Sequence, residues 1–335
     1  MKILGIETSC DDTASAVVND KGEVLSNVLS SQEQFHKDFG GIVPEIASRK
    51  HAELIGYVIK DALKLSHSEM KDIDAVSVTY GPGLVGSLLV GVEAAKAISF
   101  SLDIPLIGIN HLEGHIYALF LKGSPLHYVK NPFPLLILIV SGGHTELILM
   151  KEHLTYKLLG KTRDDAAGEA LDKFARALGY SYPGGPMIEE LGRDGDPNFY
   201  HFPRANLLGT PYEFSFSGLK TAGVYYIEKH RDELKSHLND IAASFEEAVA
   251  DMLVEKTIRA ARDFSVKGIG IVGGVSANKR LRKKFLKKSK TEVYFPGNGF
   301  STDNAAMVAM AGLMRYKKGQ RDNLLLDAVS RLELY

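Results

Sequence analysis

Residues 134–150, PLLILIVSGGHTELILM, carry the strongest fold signal in the chain, because two apolar, β-prone runs flank a Ser-Gly-Gly turn. This pattern predicts a strand, a tight turn and a second strand, and residues 154–159 supply a third strand. The stretch 2–29 repeats the pattern with different residues and turns of its own. After each triplet, helix-like and strand-like segments alternate. The sequence therefore predicts two tandem α/β domains.

Composition narrows the class of protein. The chain has 335 residues, 40 basic and 41 acidic side chains and 45% hydrophobic residues, which excludes a largely disordered protein. A single cysteine, Cys10, excludes a disulfide framework and a cysteine-based zinc finger. The start shows no signal-peptide pattern, and no unbroken apolar run approaches the roughly 18 residues of a membrane span. We therefore expect a cytoplasmic protein with no membrane partner.

The domain boundary is expected in the stretch 123–134, which is richer in Pro, Gly and Ser. This gives an N-terminal domain of residues 1–130 and a C-terminal domain of residues 131–335, whose last helix can pack back on the first domain. The expected ligand site is a cleft between the two domains.

A pair of histidines in NHLEGH suggests a metal site. His111 and His115 are four residues apart, so on a helix their side chains lie one turn apart on one face. Asp303, in STDN at an expected helix start, is the best candidate for a third ligand. Two histidines and one carboxylate are typical of non-haem iron or zinc sites.

A metalloprotease is the tempting alternative for this pair. The protease pattern is H-E-x-x-H, in which the general base directly follows the first histidine. Here Glu113 lies two positions after His111, about 200° around the helix at about 100° per residue. We expect Glu113 to point away from the metal, which makes a protease the weaker hypothesis.

Two turns at matching places suggest a nucleotide site. ETSCDDT at residues 7–13 and VSGGHT at residues 140–145 each join the first two strands of a triplet. Such turns expose backbone N–H groups that can hold phosphate oxygens. As a pair they resemble the two phosphate loops of the actin, sugar-kinase and heat-shock-70 ATPases. An ATPase or kinase of that fold is therefore the main alternative function.

Three later segments carry further candidates. Asp172 belongs to an acidic helical face, and Gly185 in YPGGP lets backbone approach a ligand. The segment 273–278, GGVSAN, follows a strand with small residues that suit a flat base or sugar. Residues 279–290 contain eight Lys or Arg in twelve positions. This is the densest basic segment available for a phosphate backbone.

Taken together, these motifs resemble the TsaD family of tRNA N6-adenosine threonylcarbamoyltransferases, once called O-sialoglycoprotein endopeptidases. The resemblance runs from the first strand to the Asp303 loop. Lys220, after Gly218-Leu219, makes the chain more similar to the bacterial branch. The motifs are IETSCDDT, GPGLVGSL, NHLEGH, VSGGHT, DDAAGEALDK, YPGGP, SFSGLKTA, GGVSAN and STDNAAM.

The resemblance implies a fold and a set of site residues. The fold is two tandem RNase H-like domains of the actin, sugar-kinase and heat-shock-70 superfamily, with the nucleotide in the inter-domain cleft. The metal ligands are His111, His115 and Asp303, with one Fe²⁺ per subunit and zinc as the alternative. The adenylate or ATP contacts are Ile139, Val140, Ser141, Gly142, Gly143, Asp172, Gly185, Glu189 and Asn278.

The resemblance also implies a reaction and partners. A threonylcarbamoyl group passes from threonylcarbamoyl-AMP to N6 of adenosine 37 in tRNAs that read codons beginning with A, and AMP leaves. Glu7 and Asp11 are the candidate general bases. The implied protein partners are a TsaB-like paralogue and a TsaE-like P-loop ATPase. A helical surface of the N-terminal half, on the helix after Pro44 or the helix from Leu84, is expected to hold the paralogue.

Overall fold

The computed structural model describes residues 1–36, 39, 41–205 and 207–335. Its internal contacts divide the chain into two compact units. Unit 1 consists of Met1–Lys130 together with Pro296–Tyr335, and unit 2 is Asn131–Phe295.

Unit 1 contains a five-stranded sheet in the order β3-β2-β1-β4-β5. Its strands β1, β2 and β3 are antiparallel neighbours, whereas β4 and β5 run parallel to β1. Its elements are β1 (Lys2–Glu7), β2 (Asp12–Asn19), β3 (Val24–Ser31), α1 (Glu33–His36), α2 (Pro44–Leu65), β4 (Ala75–Gly81), α3 (Val85–Leu102), β5 (Leu106–Asn110), α4 (His111–Ala118) and, after unit 2, α10 (Ala305–Lys317).

Unit 2 repeats this topology with the order β10-β9-β6-β7-β8. Strand β6 pairs antiparallel with β7 and parallel with β9, as β1 does with β2 and β4. Its elements are β6 (Leu135–Val140), β7 (Thr145–Glu152), β8 (Thr155–Lys161), α5 (Ala167–Ala177), α6 (Gly184–Leu191), α7 (Ser217–Lys229), α8 (Arg231–Asp263), β9 (Gly268–Val272), α9 (Lys279–Lys288) and β10 (Glu292–Tyr294).

The sequence-based prediction of two α/β repeats is confirmed. Each triplet of strands forms the antiparallel part of one sheet, and each later strand joins that sheet by a parallel crossover through helices. Helices α2 and α3 pack against the sheet of unit 1, and α8 packs against β6 in unit 2.

Close packing between α10 and β1 fixes the position of the N-terminal end of α10. A Cβ atom on Gly5 would lie 2.3 Å from the carbonyl oxygen of Ala305, so only glycine allows this approach. Side chains alternate along a strand, and Glu7 therefore leaves β1 on the same face as Gly5. This places Glu7 beside the segment that carries Asp303, just before α10.

One helix among the described residues, α3, has the length and composition of a membrane span. Glu93 and Lys96 interrupt α3, so its sequence contains no unbroken apolar run of that length. These two side chains form an ion pair at 2.8 Å. Core helices of globular proteins meet the same criterion of length and composition.

The core of unit 2 predicts a large stability effect at one position. Phe245 is fully buried and stacks on Phe174 with 3.8 Å between ring centroids. Phe245→Ala leaves a cavity there and should lower the free energy of unfolding by about 3–5 kcal/mol in urea denaturation. The control Leu208→Ala changes a side chain that is 92% exposed and should have almost no effect. A change below about 1 kcal/mol for Phe245→Ala would contradict this account of the core.

Candidate metal centre and adenylate site

The carboxyl ends of three parallel strands bring the polar residues of unit 1 together. Strand β1 ends at Glu7, β4 carries Thr79 near its end, and β5 leads through Asn110 into α4. Ligand sites form at such ends in α/β sheets. The Asn110 side chain accepts a hydrogen bond from the Leu112 amide at 2.9 Å and so caps α4. The cap fixes the first turn of α4, which begins with His111.

The structure brings His111, His115 and Asp303 together. Asp303 Oδ1 lies 3.0 Å from His115 Nε2 and 3.5 Å from His111 Nε2. The three potential ligand atoms all lie within 4.8 Å of one another. Both imidazole rings therefore direct their Nε2 atoms at the same carboxylate oxygen.

Glu7 orients the first of these imidazoles. Its Oε2 atom lies 3.1 Å from His111 Nδ1 and accepts a 2.6 Å hydrogen bond from the Thr79 hydroxyl. Its Oε1 atom accepts a 2.5 Å hydrogen bond from the Ser9 amide. Burial tends to raise the pKa of Glu7, but the charge and hydrogen bond of His111 outweigh burial and lower it. Glu7 is thus held as a carboxylate.

This geometry fits a divalent transition metal. A histidine that gives its Nδ1–H to a carboxylate presents the Nε2 lone pair to a metal, and Glu7 serves His111 in this way. His115 Nδ1 is buried without a hydrogen-bond partner among the described residues. Burial tends to lower the pKa of His111, but the charges of Asp303 and Glu7 raise it to about 9. The site therefore attracts positive charge.

Glu113 points away from this centre, as helix geometry predicts. Its side chain is fully buried, and its Oε2 atom accepts a 2.7 Å hydrogen bond from Arg315 Nε. A carboxylate held by an arginine on α10 is not placed to activate water at the histidines. The arrangement disfavours the metalloprotease alternative.

The β1–β2 turn places further acids near the centre. Burial and the charge of Asp303 raise the pKa of Asp11, and the same causes raise the pKa of Asp12 to about 7. Burial also raises the pKa of the Cys10 thiol, which keeps it protonated. Because the thiolate is the reactive form, Cys10 is poorly suited to nucleophilic attack.

In unit 2, the β6–β7 turn presents the predicted phosphate loop. The turn is closed by a 2.9 Å hydrogen bond from the Ser141 amide to the His144 carbonyl. Gly142 and Gly143 are exposed, and a Cβ atom on either would meet only open space. Gly168 of α5 packs so closely that a Cβ would lie 2.6 Å from the Ser141 carbonyl oxygen. The turn is therefore fixed against the start of α5.

Helix α5 also carries Asp172, which holds the start of α6. Asp172 Oδ1 accepts hydrogen bonds from the amides of Gly184 at 2.7 Å and Gly185 at 3.2 Å. Burial raises the pKa of Asp172 even though these two hydrogen bonds oppose the shift. The predicted pair Asp172 and Gly185 is thus brought together, and α5 links it to the β6–β7 turn.

The other two predicted polar contacts form a second group. Asn278 caps α9 by accepting a 2.8 Å hydrogen bond from the Leu281 amide. Its Nδ2 atom donates to Glu246 at 2.5 Å and to Glu189 at 3.4 Å. Ile139 and Val140 are fully buried in β6, so their side chains belong to the core. Only their backbone atoms are suited to a ligand.

Sequence reasoning missed several residues that build these sites. Asn110 precedes a helix start, and its capping role follows from a pattern that could have been found. Thr79 and Arg315 act only through partners distant in sequence. Glu246 lies within the long helix α8, where no local pattern distinguishes it.

Solved structures with the same arrangement of strands and helices identify the class of fold. Among solved structures, the chain resembles T. kodakarensis HypF with a TM-score of 0.62, 15% identity and coverage of 95% of this chain and 48% of that one. It also resembles component A of the (R)-2-hydroxyglutaryl-CoA dehydratase of Acidaminococcus fermentans, with a TM-score of 0.56, 16% identity and coverage of 95% and 98%. The fold is therefore that of the actin-like ATPases and sugar kinases, here with a paired-histidine helix.

Sequence comparison then gives the family. A family model for TsaD, tRNA N6-adenosine threonylcarbamoyltransferase, matches residues 23–310. The enzyme of that name from Caldicellulosiruptor saccharolyticus is 51% identical over all of this chain and 98% of its own length. The one from Thermosipho africanus is 49% identical over the full length of both. The chain belongs to the tRNA N6-adenosine threonylcarbamoyltransferase family.

The orienting role of Glu7 yields a testable prediction. Glu7→Gln removes the negative charge beside His111 and should weaken binding of Fe²⁺ or Zn²⁺ about 10- to 100-fold, the usual effect of losing such a partner. The measurement is a competitive chelator titration. Glu53→Gln removes the same charge from an exposed pair with Lys50 and serves as the control. Equal metal affinity in wild type and Glu7→Gln would contradict the assigned role.

Proposed function

We propose that this chain transfers the threonylcarbamoyl group from threonylcarbamoyl-AMP to N6 of adenosine 37 in tRNAs that read codons beginning with A. The observation that carries the proposal is the convergence of His111, His115 and Asp303, with Glu7 orienting His111. Membership of the family supports it. An actin-like ATPase or kinase shares the fold but has no need of a paired-histidine helix.

The metal-binding residues are His111, His115 and Asp303. Their two nitrogens and one oxygen suit Fe²⁺, with Zn²⁺ as the alternative. When bound, such an ion supplies Lewis-acid polarisation of a carbonyl group. The protein's contribution is a fixed ligand set, since Glu7 holds one imidazole and the α4 cap holds the helix.

The transfer itself needs a proton acceptor. N6 of adenine attacks the carbamoyl carbon, a C–N bond forms, the C–O bond to the phosphate breaks, and AMP leaves with the electron pair. Of the two candidate bases, Glu7 is fully buried and already accepts three hydrogen bonds. Asp11 is half-buried, and its raised pKa improves it as a base near neutral pH. We assign the N6 proton to Asp11 and a positioning role to Glu7.

The adenylate is assigned to unit 2. The exposed amides of Gly142 and Gly143 are suited to the phosphate oxygens. Both backbone hydrogen bonds to Asp172 go to Oδ1, so Oδ2 is the oxygen offered to a ribose hydroxyl. Glu189 and Asn278 form the third contact group, and Gly185 leaves room for the sugar. ATP carries the same adenosine and phosphate groups, and we assign it to the same residues.

The protein partner is assigned to the outer face of α3. Val85, Leu89 and Phe100 are 46%, 37% and 75% exposed. At about 100° per residue they fall within roughly 60° of one another, which makes an apolar stripe on one face. Tyr57 on α2 adds a side chain that is 70% exposed. Such a stripe is typical of a protein interface, and we assign it to the TsaB-like paralogue. A TsaE-like P-loop ATPase is the second proposed protein partner. The three proteins are proposed to act together in the cytoplasm.

Removal of the histidines tests the proposed reaction. The double variant His111→Ala, His115→Ala should lose bound metal and at least 99% of N6-threonylcarbamoyladenosine formation, because the metal loses two of three ligands. The assay uses the chain with both partner proteins, threonylcarbamoyl-AMP and unmodified tRNA. Wild type without the partners should transfer only slowly.

Two results would count against this reaction. Full transfer by the metal-free double variant would exclude the metal role. A wild-type set that hydrolyses ATP or phosphorylates a sugar but leaves tRNA unmodified would favour the kinase-like alternative. Unchanged thermal unfolding of the double variant serves as the folding control.

A change at Asp172 tests the adenylate site. Asp172→Asn keeps an acceptor for the Gly184 and Gly185 amides but removes the charge offered to the ribose. It should weaken AMP binding roughly tenfold in calorimetry, because a hydrogen bond to a charged group contributes about 1.5–3 kcal/mol. Metal content should stay at the wild-type level. Wild-type AMP affinity in Asp172→Asn would contradict the ribose assignment.

A further inference from the structure

Six of the seven cations of α9 divide into two groups with different surroundings, and Arg282 stands apart from both. One group faces α8 and is neutralised there. Arg280 pairs with Glu246 at 2.5 Å, Lys284 pairs with Glu247 and Asp251, and Lys288 lies 3.5 Å from Asp251. These side chains form ion pairs that hold α9 against α8.

Arg282 also interacts with other groups of the protein. Its Nε atom donates a 2.7 Å hydrogen bond to the Ser276 carbonyl, and its guanidinium lies 4.7 Å from the centre of the Phe295 ring. Burial lowers the pKa of Arg282, which is the expected sign of a partly desolvated cation. Arg282 is therefore a poor candidate for contact with an external anion, although the sequence counts it with the rest of the basic run.

The second group forms one exposed row, which we call the outer row: Lys279, Lys283 and Lys287. The spacing of four residues puts them on one helix face, about 6 Å apart along the axis. Lys290 continues the row just beyond the helix, and Leu286 is 66% exposed on the same face. Among the described residues, no ion pair involves the side chains of the outer row, although the backbone amide of Lys279 donates a 3.1 Å hydrogen bond to Glu189.

A groove meets α9 next to the outer row. Its volume is about 450 Å³, and it is lined by Val254, Glu255, Ile258, Arg259, Arg262 and Lys288. The groove thus combines apolar side chains of α8 with two arginines, with Glu255 and with Lys288, which already lies near Asp251. Lys288 is the residue after Lys287, so the groove and the outer row join at the carboxyl end of α9.

We propose that the outer row and this groove form a binding surface for the phosphate backbone of the RNA substrate. The inference rests on the proposed function for its choice of polyanion. Charge complementarity carries it: exposed lysine side chains in a row, without ion pairs, suit successive phosphates. Apolar side chains beside the groove arginines suit an unstacked base or sugar. The formal net charge of the whole chain is −1, so this surface is a local concentration of positive charge.

Charge reversal of the outer row tests the proposal. The triple variant Lys279→Glu, Lys283→Glu, Lys287→Glu should weaken binding of an unmodified tRNA at least tenfold at 0.1 M salt. The slope of log affinity against log salt should fall by about 2–3, since each lost contact removes about 0.7–0.9. The thermal unfolding midpoint, measured on the same sample, should equal that of wild type and report an intact fold.

A matched control separates a specific surface from net charge. Lys229→Glu, Arg231→Glu, Lys235→Glu makes the same change in charge at exposed positions on α7 and α8. This control should keep wild-type tRNA affinity and salt slope. The milder triple Lys279→Gln, Lys283→Gln, Lys287→Gln should show a smaller loss of the same kind.

Three results would overturn the proposal. The first is wild-type tRNA affinity in the outer-row triple variant. The second is a loss of tRNA affinity in the control triple variant that equals the loss in the outer-row variant. The third is an outer-row variant that still binds tRNA but no longer binds vesicles of anionic phospholipid. Failure of the proposed reaction is seen separately, as a wild-type set that binds tRNA but does not modify it.

Discussion

The hydrogen bond between Glu7 and His111 Nδ1 is the interaction on which the candidate metal centre depends. A carboxylate at this depth is costly unless it is paired and hydrogen-bonded, and Glu7 meets both conditions through His111, Thr79 and the Ser9 amide. The bond leaves His111 Nε2 facing Asp303, where His115 Nε2 also points. The strand ends of the sheet and the close packing of α10 on β1 bring these groups to one place.

The parallel strands of the unit 1 sheet position most of these groups. Strands β1, β4 and β5 are hydrogen-bonded neighbours, so Glu7, Thr79 and Asn110 reach the same edge without long loops. The fourth component, Asp303, comes from near the other end of the chain. It depends on Gly5, because any side chain there would push α10 away from β1. Fold and site are thus coupled through one glycine and one strand edge.

The repeat of this topology in unit 2 has a different use. The turn after β6 corresponds to the turn after β1, yet it carries small residues where unit 1 carries acids. Unit 1 is thereby suited to a cation, and unit 2 to a phosphate. Helix α5 connects the β6–β7 turn to Asp172, so the groups assigned to the phosphate and to the ribose are held by one helix.

The sequence predicts the repeat, most strand positions and the grouping of His111, His115 and Asp303, because these follow from local periodicity and from motifs. It also places Glu113 away from the metal, since helix geometry is local. What it cannot predict are contacts across long separations. Arg315 meets Glu113 from 202 positions away, and Glu7 meets His111 from 104. For the same reason the basic run 279–290 looks uniform in sequence, although α8 neutralises one side of it.

The most direct test of this account is a double-mutant cycle on metal affinity. The variants are Glu7→Gln, His111→Ala and their combination, measured by chelator competition with Zn²⁺. If Glu7 acts by orienting His111, its substitution should weaken binding strongly in wild type and hardly at all once His111 is absent. Additive losses in the double variant would show that Glu7 acts independently of His111, and would contradict the central claim.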